Sequence, residues 1–165
     1  MKYRINLVVM ALRHLETITL HKWYVMSECF RLGLYWQGIT HDLSKYSFTE
    51  FMTSARYFQG NRSPIGAERT KRGYSIAWLH HKARNKHHWE YWTDFTKGKQ
   101  TPVPMPEKYV KEMFCDLIGA SRAYKKEAFS KDEPLKYFLE RVDEWVIHEE
   151  SKSQLEKMLR EYVRG

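Results

Sequence analysis

"GITHDLSKYSFTEF", residues 38–51, sets a histidine and an aspartate side by side after a run of small and apolar residues, with a lysine three positions further on. An ordinary helix end needs one capping side chain, whereas His41, Asp42 and Lys45 are three chemistry-bearing groups in a single turn of chain. Ser47 and Glu50 behind them have capping-box spacing, which predicts a new helix from Phe48 to Gln59, stopped before Gly60. The doublet therefore falls between two helices. Adjacent residues reach one cation only where helical geometry is relaxed, as it is at a helix end.

Upstream, Ile5, Val8, Val9, Leu12 and Leu15 recur at helical spacing, and Leu20, Trp23, Tyr24 and Phe30 continue an apolar face. They predict one long or broken helix to about Leu32, with Gly33 as its stop and the apolar segment LYWQGIT leading to His41. Downstream, GNRSPIGAERTKRG (60–73) reads as an exposed basic loop, because it combines three glycines, a proline and four Arg/Lys residues. YSIAWLHHKARNKHHWEYW reads as a helix, and TKGKQTPVPMP as a linker whose prolines prevent regular structure. Further helices are predicted over Glu107–Lys126, from a Ser130/Glu133 capping box with Pro134 inside it to about His148, and over SQLEKMLREYV. No stretch alternates β-branched residues, so the chain reads as all-α.

A length of 165 residues suits one domain, 1–165, with its own core. The chain is 42% apolar and 15% aromatic, with no low-complexity tract, which excludes a disordered protein. A net charge of +8 favours anionic partners without choosing among nucleotides, nucleic acids and phosphate esters. Cys29 and Cys115 form no CxxC unit, so neither a disulfide framework nor a thiolate zinc site is indicated, and a reducing cytoplasm is the expected compartment. MKYRINLVVMAL looks like a leader, but Arg13, His14 and Glu16 interrupt it and exclude a membrane span.

The candidate chemistry gathers around histidines. His21 opens the pattern His21-x3-Val25-x3-Cys29 on the first helix. His81, Asn85 and His88 fall at i, i+4 and i+7 on the third helical stretch, with His80, Arg84 and His87 on a neighbouring stripe. The doublets 80/81 and 87/88 each offer two imidazoles; His81 and His88 are taken as the ligands because they share a face. Asp116 stands among apolar residues in MFCDLIGASRAY, where an unpaired carboxylate is costly to bury. Imidazole and carboxylate donors without thiolates suit a divalent transition metal, namely Mn, Fe, Co, Ni or Zn, with Mg admissible when few imidazoles bind. His14 and His148 read as surface or supporting residues, and the aromatic residues at 78, 89, 91 and 92 as core or dimer packing.

With these residues in order, the chain resembles the HD superfamily of metal-dependent phosphohydrolases over roughly residues 13–125. "GITHDLSK" matches that superfamily's small-apolar-HD-x-x-K stretch, with His21 ahead of it and Asp116 behind. It is also similar to a set of small bacterial and phage proteins bearing HDLSK followed by H-x3-N-x-HH-x-E-Y, matched by His81, Asn85, His87, His88, Glu90 and Tyr91. The resemblance implies a single HD-like helical bundle holding one or two ions. His21, His41, Asp42 and Asp116 would hold the first, and Asp42 would bridge to a second on His81 and His88. It further implies that Asp42 and Lys45 are catalytic, that Asn85 and His87 orient the substrate, and that Arg69 and Arg72 draw in a small phosphate ester such as a nucleotide. A homo-oligomer is compatible with this reading. A di-iron oxygenase of HD type and a non-catalytic nucleic-acid-binding protein are the alternatives.

Overall fold

The computed structural model describes the backbone of residues 2–165 and side chains from Asn6 onward; the side chain of Ile5 lies outside the described residues. Helix α1 runs unbroken from Lys2 to Arg31 and ends at Gly33, which has φ +72. Its buried positions His14, Ile18, His21, Val25 and Cys29 are spaced four, three, four and four apart, the pattern of one helical face. That face packs on α6 (Glu107–Lys125), which buries Val110, Met113, Phe114, Leu117 and Ile118 in return.

The close approach of α1 and α6 depends on Gly119. A Cβ there would lie 2.4 Å from Val25 Cγ2, 3.1 Å from Val25 N and 3.3 Å from the His21 carbonyl. We expect Gly119→Ala to cost about 1–2 kcal/mol net, because overpacking of about 1–3 kcal/mol outweighs a gain in helix propensity below about 1 kcal/mol. A lowered urea midpoint reads this.

The expected apolar face of α1 is not the buried one. Val8 (59%), Leu12 (62%) and Trp23 (60%) are largely exposed, together with Val9 and Leu15. Direction and length both contribute. Trp23, between buried His21 and Val25, points about 200° away from them on the helix. The nineteen residues of α6 span about 28 Å against about 45 Å for the thirty of α1, so α6 cannot cover all of α1.

Between these partners come α2 (Tyr35–Thr40), a 3₁₀ turn over Leu43–Tyr46, α3 (Phe48–Tyr57), α4 (Pro64–Arg72) and α5 (Ile76–Lys82). The Ser47 hydroxyl accepts from Glu50 N and caps α3, but the Glu50 side chain turns inward and does not close the capping box. Most of the basic stretch 60–73 is helix α4 rather than loop. Ser63 caps it, Pro64 occupies its first turn and Gly73 at φ +81 ends it, start and stop signals outweighed at the sequence level by the glycine count. Buried Glu68 ties α4 to α5 by accepting from Ser75 Oγ at 2.6 Å and from Ile76 N at 3.0 Å.

The helix expected over residues 74–92 stops at Lys82, and a turn and a 3₁₀ segment, Trp89–Trp92, carry the chain onward. The expected linker, from Thr96, instead holds the turn and second strand of a hairpin, β1 (Thr93–Thr96) paired antiparallel to β2 (Lys99–Pro102). Lys97 and Gly98 both have positive φ, the requirement of a tight hairpin turn, and Pro102 ends the ladder. Helix α7 (Glu133–Arg141) starts at Asp132, whose carboxylate receives the Ser130 hydroxyl, so Ser130 is not its cap. It ends seven residues before the expected His148, at a short 3₁₀ turn. His148 caps α8 (Glu149–Arg164) by accepting from Glu150 N. Leu155 and Leu159 of α8 join Phe138 and Ile118 in the core, where Cys29 and Cys115 are buried free thiols. The result is a mostly helical bundle with one small hairpin. Among the described residues no helix is long and apolar enough to cross a membrane.

Candidate metal centre

The break after α2 aims the doublet. His41 is extended (φ −49, ψ 125) and Asp42 is left-handed (φ 55, ψ 24), a conformation that aspartate tolerates better than most residues. This reversal brings two adjacent side chains to one point, which a continuing helix would hold about 100° apart.

The first cluster joins α1, the break and α6. His21 Nε2 lies 3.2 Å from Asp42 Oδ2, 3.2 Å from Asp116 Oδ1 and 3.3 Å from His41 Nε2. His41 Nε2 is 3.2 Å from Asp42 Oδ2 and 3.5 Å from Asp116 Oδ1. Ligands about 2.1 Å from one ion stand roughly 3.0 Å apart at octahedral edges and 3.4 Å apart at tetrahedral ones, so these four atoms have the spacing of one coordination shell. The second cluster uses the other aspartate oxygen. Asp42 Oδ1 lies 3.2 Å from His81 Nε2 and 3.4 Å from His87 Nε2, while His81 Nε2 is 2.9 Å from His88 Nε2. Asp42 Oδ1 and His87 Nε2 are buried without any hydrogen-bond partner, a costly arrangement unless a further ligand satisfies them. Both donor sets therefore fit a divalent cation, and Asp42 is common to both.

Charge supports the same picture. Burial opposes ionisation of Asp42, but His41, Lys45 and His81 overcome it and hold the carboxyl well below its usual range. Asp116 is held down likewise, against burial, by His21, His41 and His87. For His88, burial first and then the neighbouring His87 and His81 push the imidazole well below its usual value, leaving the neutral form that ligates. Lys45 Nζ contacts Asp42 Oδ2 at 2.5 Å. Burial lowers its pKa, but Asp42 and Asp116 more than compensate, so it stays an ammonium. Lys45 at 27% and Asp116 at 16% side-chain exposure mark the mouth of the site; the buried histidines form its floor.

A second layer of acceptors orients the imidazoles. Glu50 Oε2 is 2.9 Å from His81 Nδ1, and Glu50 Oε1 is 2.5 Å from His80 Nδ1. Glu112 Oε1 is 3.0 Å from His41 Nδ1 and 3.2 Å from His87 Nδ1. His41, His87 and Glu112 also form a close trio, but both Nδ1 atoms face the carboxylate while both Nε2 atoms face the clusters. That trio has the geometry of a hydrogen-bonded support for the two rings.

The structure redistributes several expected roles. Asn85 is buried and donates to Ser44 Oγ and to the His81 carbonyl, both at 2.8 Å, so its amide is committed to holding the turn. His87, expected to orient the substrate, stands with the ligand atoms. His81 and His88 meet because the chain turns after Lys82, and not because they share a helical stripe. The same turn admits His87, which no helix could present beside His88. His80 is outside both clusters, on Glu50. The Arg69 guanidinium lies over the Trp78 ring, 5.6 Å from its centroid, and Trp78 packs on His81 and His88, so Arg69 is one ring removed from the second cluster. Arg72 instead meets Glu68 and Tyr74, away from the clusters. Nothing local marks Glu50 and Glu112 as supports: the Ser47/Glu50 spacing reads as a capping box, and the sign of Glu112 is its position one helical turn before Asp116.

His14 is no surface residue. It is buried between Phe51 and Phe58, and burial, then the Lys45 ammonium, lowers its pKa from 6.5 to about 4. A histidine whose folded value lies below its unfolded one stabilises the fold fully above pH 6.5 and loses that contribution as pH falls toward 4. Between pH 7.5 and 4.5 this group is expected to account for about 2.5 kcal/mol of lost stability. Urea unfolding at both pH values should show a correspondingly smaller loss in His14→Leu.

No curated protein and no solved structure matches the sequence. A family model described as "Family of unknown function (DUF5662)" matches residues 10–161, a span that holds all the ligand candidates and both supporting glutamates. The chain therefore belongs to the DUF5662 family.

Proposed function

We propose that this chain is a metal-dependent phosphohydrolase that acts on a small phosphate ester, with a nucleotide as the substrate class. The observation that carries the proposal is the division of Asp42: one oxygen joins each four-atom donor set, with the Lys45 ammonium on the oxygen of the first. His21, His41, Asp42 and Asp116 would hold one divalent ion, and Asp42, His81, His87 and His88 a second. Bound there, such ions supply Lewis acidity and bring the pKa of water from about 15.7 toward roughly 7. Lys45 meets an anionic phosphoryl oxygen at the mouth and stabilises the charge that grows on it. Glu50 and Glu112 fix the imidazoles, so that little reorganisation accompanies the reaction. Arg69 and Trp78 lie beside the second set and offer a cation and a ring face to the remainder of the substrate.

Purified protein supplemented with Mn, Co, Zn, Fe or Mg should release phosphate from at least one member of a panel of nucleoside mono-, di- and triphosphates and cyclic nucleotides. No turnover across the panel by a protein that has bound ions would sink the phosphate reading. The five imidazoles, two in the first set and three in the second, favour one second reading, an iron-dependent oxygenase. Stoichiometric iron and substrate-dependent oxygen uptake would select it.

A further inference from the structure

We infer that Glu112 couples the two ion sites, so that they load cooperatively and not as independent centres. The inference rests on the reading of the two donor sets as ion sites. It comes from a single atom: Glu112 Oε1 is 3.0 Å from His41 Nδ1 and 3.2 Å from His87 Nδ1. His41 belongs to the first donor set and His87 to the second, and their ring centroids are 4.5 Å apart.

A neutral histidine that ligates through Nε2 must carry its proton on Nδ1, and that N–H needs an acceptor when it is buried. Glu112, only 6% exposed, is the acceptor for both rings. One carboxylate oxygen thus selects the tautomer and the ring orientation at both sites together. An ion that fixes His41 also fixes Glu112 in the position His87 requires, and the reverse holds by linkage. The second ion then binds an imidazole that is already ordered. Asp42 reinforces the effect by offering one oxygen to each set. Glu50 provides a contrast within the same protein, since it supports His81 of the second set and reaches no imidazole of the first. Glu112 is accordingly a positioning residue that touches neither substrate nor ion.

The test is Co(II) binding by the full chain, followed by calorimetry and by the ligand-field absorption of the bound ion. Three variants, Glu112→Leu, Glu112→Gln and Glu68→Gln, accompany the wild type. Wild-type protein should take up two ions per chain with a sigmoidal isotherm. In Glu112→Leu both affinities should fall by about 10–100-fold and the sigmoidicity should vanish, with an altered absorption spectrum. Glu112→Gln keeps an amide oxygen able to accept both N–H groups, so it should retain sigmoidal uptake with a smaller loss; if the leucine variant does not fold, Glu112→Met removes the acceptor in its place and should lose the sigmoidicity. Glu68→Gln alters a buried carboxylate that bonds to Ser75 and Ile76 and to no histidine, and should bind cobalt as wild type does, which separates coupling from general destabilisation. Two ions bound without cooperativity by wild type, or a Glu112→Leu isotherm like that of wild type, would overturn the coupling and leave the metal centre standing. A wild-type protein that binds no cobalt, zinc or manganese would overturn both.

Discussion

Asp42→Asn should strip the protein of bound metal and lower turnover of its substrate by roughly 10,000-fold or more, while the helical fold persists. No other side chain belongs to both four-atom donor sets, so its loss leaves each set one charged ligand short. Asparagine keeps the size of the side chain and tolerates φ 55, which removes backbone strain as an explanation for any loss. The fold should survive because Asp42 is not part of the apolar core that contains Val25, Ile118, Phe138, Leu155 and Leu159. Elemental analysis after purification and far-UV circular dichroism give the two readouts. Full metal content in Asp42→Asn would remove the bridging role, and global unfolding would make the site structural.

Lys45→Met should lower turnover of a phosphate substrate by roughly 30-fold to 1,000-fold, equivalent to about 2–4 kcal/mol, with metal content unchanged. The ammonium sits on Asp42 Oδ2, at the exposed edge of the first donor set, and an ammonium has no lone pair with which to ligate a metal. Methionine preserves the stem and deletes the charge. Stopped assays with metal-loaded protein should place the loss in kcat. Unchanged turnover would remove the argument for phosphate over oxygen chemistry, since oxygen activation does not need a cation at that position.

The sequence by itself determined the elements whose signals are local. The long first helix, α3 with its Ser47 cap, α6 and α8 were legible in helical spacing and caps, and the break that frees His41 and Asp42 was legible in the two helices around it. Asp116 could be named in advance as a carboxylate among apolar residues, and His21, His41 and Asp42 because their order resembles a known pattern. Local signals misled where competing ones overlapped. Ser63, Pro64 and Gly73 define α4, but the same residues count toward a loop, and the Lys97-Gly98 turn was hidden among prolines. Only the tertiary structure decided which histidines converge. A turn after Lys82, and not a helical stripe, brings His81, His87 and His88 together, and the approach of α1 to α6 over Gly119 sets His21 beside Asp116. Glu50 and Glu112 became visible only there. A buried acceptor is defined by the imidazole it meets across 31 and 71 residues of chain, and no periodicity within its own helix encodes that partner.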